Sequence, residues 1–491
     1  MKDKSNQKIS EMDLTSGNLF WKIPVFGLPM AFTTILQLLY TTVDLYTVAQ
    51  FGGGNNSMSA VGSNTALINL IVTVFVSLSL GSNVVMGHAK GANNKESASK
   101  ILHTSMVLAL ITGIIVGLFG YFASNTLLKW MQTPDSIIEK STIYLQIYFI
   151  GLPFLMIYNY GSQILRALGD SKRPLYILII SGLVNVGFDF WFVIGFKLDV
   201  RGVAWATVIS EIVSAVLVVA WLYFNKKGFV SLHFRELKID RIAFKGIMRV
   251  GLPSGIQGLG FCIPNVLIQS ALYSITDYSI NGVMISVEEI VAGSAASSTI
   301  ENYVFAFIDA FACGCTAFVS QNFGAGKKKN IRKVYLYSLI WMFILWGVCS
   351  IICCIWPYQV LGIFVTESEG VSLANSLAAG KERMMLMVLT YCIDGIMDVT
   401  SAYLRGLKRA VTPAIVTISG CVGIRIVFLL FLFPLSYFHT VFWLFIVYPI
   451  SWTLVDLIYI PMVILVEKKA FKEIHENFNV SKPDASDAKI A

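Results

Sequence analysis

Charge is what this sequence has least of. Asp, Glu, Lys and Arg make up 13% of its 491 residues, about half the share of a soluble protein, whereas 56% are hydrophobic and the mean hydropathy is +0.69. A water-soluble domain, catalytic or otherwise, is excluded by that balance. Histidine is scarce too, with five in the chain, and no His-rich metal cluster or intramembrane protease motif stands out. Eight cysteines occur, all from Cys262 onward and all within apolar runs. None faces another across an outer connection, which excludes a disulfide framework and a zinc spacing and leaves them as small packing residues. Residues 1–20 lack the basic, apolar and small-residue succession of a leader, and no cleavable signal peptide is expected.

What the chain has instead is long apolar runs. Twelve of them reach span length, from Ile23–Gln50 to Val441–Val466. Each can cross a hydrocarbon layer about 30 Å thick. The basic residues support that number. With both ends in the cytosol, thirty of the 37 Lys and Arg fall on the inner side, six on the outer side (Lys129, Lys140, Lys197, Arg201, Lys381 and Arg383), and Arg425 alone lies inside a span. This is the distribution of the positive-inside rule, and one missed helix would scramble it. The net charge of +8 therefore reports topology, and a nucleic-acid partner is not needed to explain it.

The chain is also duplicated. LRALGDSKRP (Leu165–Pro174) and LRGLKRAVTP (Leu404–Pro413) share Leu, Arg, Leu and Pro at identical spacing, and each continues into Ile-Ser-Gly. GLP recurs at Gly27–Pro29 and Gly251–Pro253, and GHAKGANNK (Gly87–Lys95) echoes SQNFGAGKK (Ser320–Lys328). Six spans per copy, an even number, place both copies in the membrane in the same sense, related by an axis along its normal. The expected segments are a cytosolic N-terminus (1–22), an N-lobe (23–224), a basic cytosolic linker (225–245), a C-lobe (246–466) and a cytosolic tail (467–491), frayed or amphipathic after Lys468. Two bundles flanking a central cavity suit alternating access without proving transport.

Intramembrane charges discriminate further. Asp189 lies fifteen residues beyond Pro174 in the fifth span, about 22 Å from the cytosolic end at ~1.5 Å per residue. Asn185 is one turn below it. Asp44 precedes Gly52, the outer end of the first span, by eight residues, and Thr207 follows the outer Arg201 by six. Singly, each could serve an interhelical hydrogen bond or sit hydrated near the boundary. Together at one depth, they make a candidate site for Na⁺ or for a proton shared by an acid pair. Glu211, one turn beyond Thr207, could extend it. In the second half, Asp394 and Arg425 both fall near the midplane on consecutive spans, and an ion pair between them is expected, either structural or with a role in transport. Asp398, Asp309 and Glu301 have no evident place. Trp191, Trp205 and the other aromatic residues read as belt or packing residues.

The chain resembles the multidrug and toxic compound extrusion (MATE) transporters over residues 20–466. The resemblance is carried by GLP at Gly27, VD at Val43–Asp44, LRALGD before Pro174, NVGFD at Asn185–Asp189, GVAWATVIS at Gly202–Ser210, FVSQNFGAGK at Phe318–Lys327 and YLRGL before Pro413. It implies an all-α membrane protein with twelve transmembrane helices in two pseudo-symmetric six-helix bundles, the V-shaped MATE fold. It further implies a multi-pass protein of a bacterial cell membrane, monomeric, not an enzyme and without a cofactor. Its function would be antiport of amphipathic, often cationic organic compounds against H⁺ or Na⁺, with Asp44, Asn185, Asp189 and Thr207 matching the family's first-lobe cation site. A lipid or lipid-linked oligosaccharide flippase is the alternative. One departure stands out. Where some members carry a glutamate on the seventh span, this chain has the apolar GLGFCIPN, although Asp394 matches the tenth-span aspartate of that second-lobe site. Coupling through the first lobe is therefore expected, with Arg425 in place of a second cation. The connection between spans seven and eight looks long for the family, and Glu288 and Glu289 are expected on a solvated loop.

Overall fold

The computed structural model describes residues 11–275, 278–280, 282–365 and 371–480. Twelve helices in it are long and apolar enough to cross a membrane. The first six are α1 (Leu19–Phe51), α2 (Asn55–Gly91), α3 (Lys95–Trp130), α4 (Asp135–Ala167), α5 (Lys172–Gly195) and α6 (Asp199–Phe224). The second six are α7 (Arg241–Leu272), α8 (Val287–Gly324), α9 (Lys328–Ile355), α10 (Leu373–Gly406), α11 (Val411–Leu432) and α12 (Val441–Val480). Helices are the form available to these sequences, because hydrocarbon offers no partner for a backbone N–H or C=O outside the helix. A two-residue hairpin, Ser279–Ile280 against Val283–Met284, precedes α8.

Local chemistry sets the helix ends. Asn94 accepts the Ser97 amide at 2.9 Å and starts α3, and Ser372 plays the same part for α10. Before α8, Ser286 and Glu289 form a reciprocal capping box: the Ser286 amide donates to Glu289 Oε2 at 2.8 Å and the Glu289 amide to Ser286 Oγ at 3.2 Å. Both α5 and its repeat partner α11 finish in a widened π-helical segment, at Trp191–Gly195 and Phe428–Leu432, and α11 carries another at Ile418–Gly423. Such segments rotate the side chains that follow them and often adjoin functional residues.

The chain divides into two compact units. One comprises residues up to Gly17, Pro29–Gly255 and Ser320–Ala325; the other comprises Asn18–Leu28, Ile256–Val319 and the chain from Gly326. Within α1 and α7, the division falls at or just beyond the repeated GLP. In the first unit, the repeat-related ends of α2 and α8 pack backbone on backbone. A Cβ at Gly91 would lie 2.0 Å from the Gln321 carbonyl oxygen, and one at Gly324 2.2 Å from that of His88. That approach admits glycine alone. In the second unit, Trp341 donates to the Phe20 carbonyl at 2.8 Å, and Trp346 to that of Val388 at 2.8 Å, tying the start of α1 and the middle of α10 to α9.

Three expectations need correction. Helix α8 starts at Val287, so Glu288 and Glu289 lie in its first turn rather than on a solvated loop. Glu288 is exposed, but Glu289 is buried and also accepts from the Ser372 amide and Asn375 Nδ2. Thr276, Asp277 and Asn281 of that connection lie outside the described residues. Helix α10 starts at Leu373, which puts Arg383 on a helix and inside the protein, not on an outer loop. The small, weakly apolar turns SAASS and LANSLAAG hide both helix starts from a hydropathy window although they propagate a helix well. Finally, α12 continues through Val480, and Glu467 accepts from Tyr403 at 2.9 Å and pairs with Arg332, so the start of the tail is docked. Residues 481–491 lie outside the described residues.

Candidate cation-binding site

Packing between α1 and α5 sets the geometry of the site. Tyr40 donates to the Leu178 carbonyl at 3.0 Å, and its ring occupies the space above Gly182, where an added Cβ would lie 1.8 Å from Tyr40 Cζ. Any side chain at 182 would push the helices apart. Asp44 is one turn beyond Tyr40, and Asn185 and Asp189 are one and two turns beyond Gly182, so the same register brings their heads together. The Asp44 carboxylate interacts with the side chains of Asp189, Asn185 and Thr207. Thr207 Oγ1 lies 3.4 Å from Asp44 Oδ2 and is oriented by its bond to the Val203 carbonyl at 3.0 Å. Four residues from three helices, α1, α5 and α6, thus meet in the first unit.

The setting is dry and lacks positive charge. Asp44 is 7% exposed, Asn185 3% and Asp189 0%. Asp44 Oδ1, Asn185 Oδ1 and both Asp189 carboxylate oxygens are buried without a hydrogen-bond donor. Among the described residues, no Lys, Arg or His pairs with either aspartate. A base is used structurally at the α1–α2 turn, where Lys140 donates to Asp199 Oδ2 at 2.8 Å and Asp199 also accepts from the Gly53 amide and Ser57 Oγ, both at 2.8 Å. That cluster fastens the α1–α2 turn to α4 and α6. Two adjacent carboxylates cannot both stay ionised in such a place without a counter-charge. The donor set, hard oxygens and one hydroxyl, matches a proton or a hard monovalent cation. Glu211 lies one turn beyond Thr207 on α6, 8% exposed, with Oε2 unpartnered.

The second unit handles its charges differently. No Asp394–Arg425 ion pair is present among the described residues. The Arg425 guanidinium turns toward α12 and α7 instead, donating to Ser451 Oγ at 3.0 Å and Asn265 Oδ1 at 3.5 Å, and it lies 4.2 Å from the Tyr448 ring centroid. The π-helical segment Ile418–Gly423 just before Arg425 accounts for that rotation, and the aromatic face gives the cation a partner there. The buried ion pair of this unit is Arg383–Glu301, a fork of 2.8 and 3.0 Å, with Ser297 donating to Glu301 at 2.7 Å and Arg383 donating to Ser294. It assigns a place to Glu301 that sequence reading left open.

Asp456 escaped the sequence reading although SWTLVDLIYI carries the same signal as the stretch around Asp44, a carboxylate within an apolar run. Both of its oxygens are buried without a donor, and it feels the charge of Asp398, which in turn feels that of Asp309. His103, His233 and Glu236 also offer ligand atoms within 4.8 Å of one another. Their geometry serves another purpose: His103 Nδ1 bonds to the Ser99 carbonyl at 2.7 Å, leaving Nε2 to accept the His233 amide at 3.0 Å, which ties the 225–240 linker to α3.

Comparison with known proteins shows the family and the fold. The MatE family profile matches residues 29–191 and 263–431. The chain is 25% identical over 413 residues to the probable multidrug resistance protein YoeA of Bacillus subtilis, covering 83% of this chain and 85% of that one. It is 23% identical to the probable multidrug resistance protein YpnP of the same organism, covering 81% and 84%. A solved transporter of the MOP superfamily from Pyrococcus furiosus superposes with a TM-score of 0.83 at 21% identity, over 96% of this chain and 100% of that chain. The twelve apolar helices, the family match over both halves and the shared fold make this chain a multi-pass membrane transporter, not an enzyme, that belongs to the MatE family.

Proposed function

We propose that this chain is a secondary active exporter that exchanges amphipathic, often cationic organic compounds for H⁺ or Na⁺, and that Asp44, Asn185, Asp189 and Thr207 bind the coupling ion. The observation that carries this reading is the group of buried, donorless oxygens on Asp44, Asn185 and Asp189. Binding one cation there removes one of the pair's two negative charges and lets α1 and α5 approach; releasing it restores the repulsion. An ion that stabilises one arrangement of α1 over another shifts the transporter between its two accessible states, by as much as its affinity differs between them. The relatives named as multidrug resistance proteins support an organic substrate. The basic cytosolic connections support both ends facing the cytoplasm of a bacterial cell, in a monomer that needs no cofactor beyond the coupling ion.

A lipid-linked sugar flippase is the weaker reading. Such a substrate calls for free cationic groups to hold pyrophosphate, whereas Arg383 is neutralised by Glu301 and Arg425 is enclosed by Ser451 and Tyr448. The deciding experiment reconstitutes the protein in liposomes and imposes a proton gradient and a sodium gradient separately, against a panel of cationic dyes. Efflux driven by one gradient, and lost in Asp44→Asn and Asp189→Asn while the folded protein persists, is the expected result. Full activity in both variants would remove the proposed site.

A further inference from the structure

Glu211 is the buried acid that the mechanism above leaves unused. It sits on α6 one turn from Thr207, and its Oε2 points at α4, where Gly151 makes room for it: a Cβ at Gly151 would lie 2.2 Å from that oxygen. Oε2 is buried and has no donor, and no basic residue pairs with the carboxyl among the described residues. A salt bridge, a cap and a structural hydrogen bond through Oε2 are therefore all missing. Two phenols of α4 lie within range of the Glu211 charge. Tyr144 feels the charges of Asp44, Asp189 and Glu211, and Tyr148 those of Glu211 and Tyr144. Tyr144, Tyr148 and Gly151 follow one another at helical spacing along a single stripe of α4, and the stripe leads from the aspartate pair to the glutamate.

We propose that Glu211 is a second exchangeable proton site of the first unit, connected to the Asp44/Asp189 pair through the Tyr144 hydroxyl, so that this unit loads two positive charges per cycle rather than one. The proposal extends the reading of Asp44 and Asp189 as the coupling site. A carboxyl with no base nearby exists in this pocket either as the neutral acid or, transiently, as an anion while its proton moves on. Tyr144 can accept a proton on its oxygen as it donates its own, which allows transfer across the space between the two sites without a buried chain of free charges.

The experiment counts protons on the purified full-length protein in sodium-free buffer, using a pH-indicator dye after a pH jump, and compares variants with the native chain so that acids elsewhere cancel. Glu211→Gln, similar in shape, is expected to bind about one proton fewer per chain than native across the titration, and Asp44→Asn also about one fewer, with the double variant about two fewer. Glu211→Asp, which keeps a carboxyl, restores the count. Tyr144→Phe keeps the count and slows the uptake. A Glu211→Gln count equal to native would overturn the proposal, because the acid would then be permanently protonated packing. An unchanged count in Asp44→Asn and Asp189→Asn, with a lowered count in Glu211→Gln, would instead end the coupling-site reading and leave Glu211 as the exchangeable group. A Tyr144→Phe rate equal to native would overturn the connection.

Discussion

The two halves of this chain descend from one repeat, yet they place buried charge differently, although each holds both a buried ion pair, Arg173–Asp170 in the first and Arg383–Glu301 in the second, and buried acids without one. In the first unit, Asp44, Asp189 and Glu211 lie in the apolar interior with no basic partner. In the second, two arginines are buried as well: Arg383 takes Glu301 in a forked ion pair and Arg425 is held by Ser451, Asn265 and Tyr448, while Asp394 and Asp456 have no ion-pair partner among the described residues. Unpaired acids can change protonation state at modest energetic separation, whereas a forked pair is fixed unless one partner is lost. The difference is that two of the first unit's unpaired acids lie side by side, as the proposed exchange requires.

The comparison can be broken at several points. The largest effect is expected at the fixed pair. Arg383→Met leaves Glu301 buried without its partner and should cost about 3–5 kcal/mol of stability, read as a lowered unfolding temperature in detergent. Arg383→Met combined with Glu301→Met should recover most of that loss; if the single variant is as stable as native, the pair is not what holds α8 to α10. Next comes the proposed cation site. Asp189→Asn is expected to reduce gradient-driven efflux about 100-fold, or ~2.7 kcal/mol of lost coupling, with unfolding temperature unchanged or raised. Asp394→Asn, by contrast, should keep efflux within about threefold of native. Equal losses in the two variants would erase the distinction between the units.

Arg425→Met should destabilise by about 2 kcal/mol, since it removes two hydrogen bonds and a cation–π contact while leaving ion dependence as it was. A change in ion dependence would give Arg425 a part in coupling. The smallest effect belongs to the capping box. Ser286→Ala should cost about 1 kcal/mol, visible as faster hydrogen exchange in the first turn of α8. Protection equal to native there would mean that Glu289, through Ser372 and Asn375, holds the turn alone.

Legibility varied with the kind of signal. The depth of Asp44, Asn185, Asp189 and Thr207 was readable because each could be measured along its own helix from a loop residue. That gives a height and no direction. Asp394 and Arg425 were placed by the same ruler, and the Arg425 charge does act on Asp394, but height could not show that the guanidinium bonds to α12 and α7 rather than to the carboxylate. Arg383 was misplaced for a different reason: six small or polar residues among the first eight hide the start of α10, and a helix that buries its polar turns against other helices does not need a hydrophobic surface there. Asp456 was readable and overlooked.

By itself, then, the sequence determined the number of spans, the duplication and the family, and offered a height for some of the buried charges, since span length and periodicity are local properties. Only the tertiary structure decided which charges have partners. That depends on how each helix is rotated and how closely its neighbour can approach, as Gly182 lets Tyr40 lie over α5 and Gly151 admits Glu211 to α4. No count along a single helix contains that information.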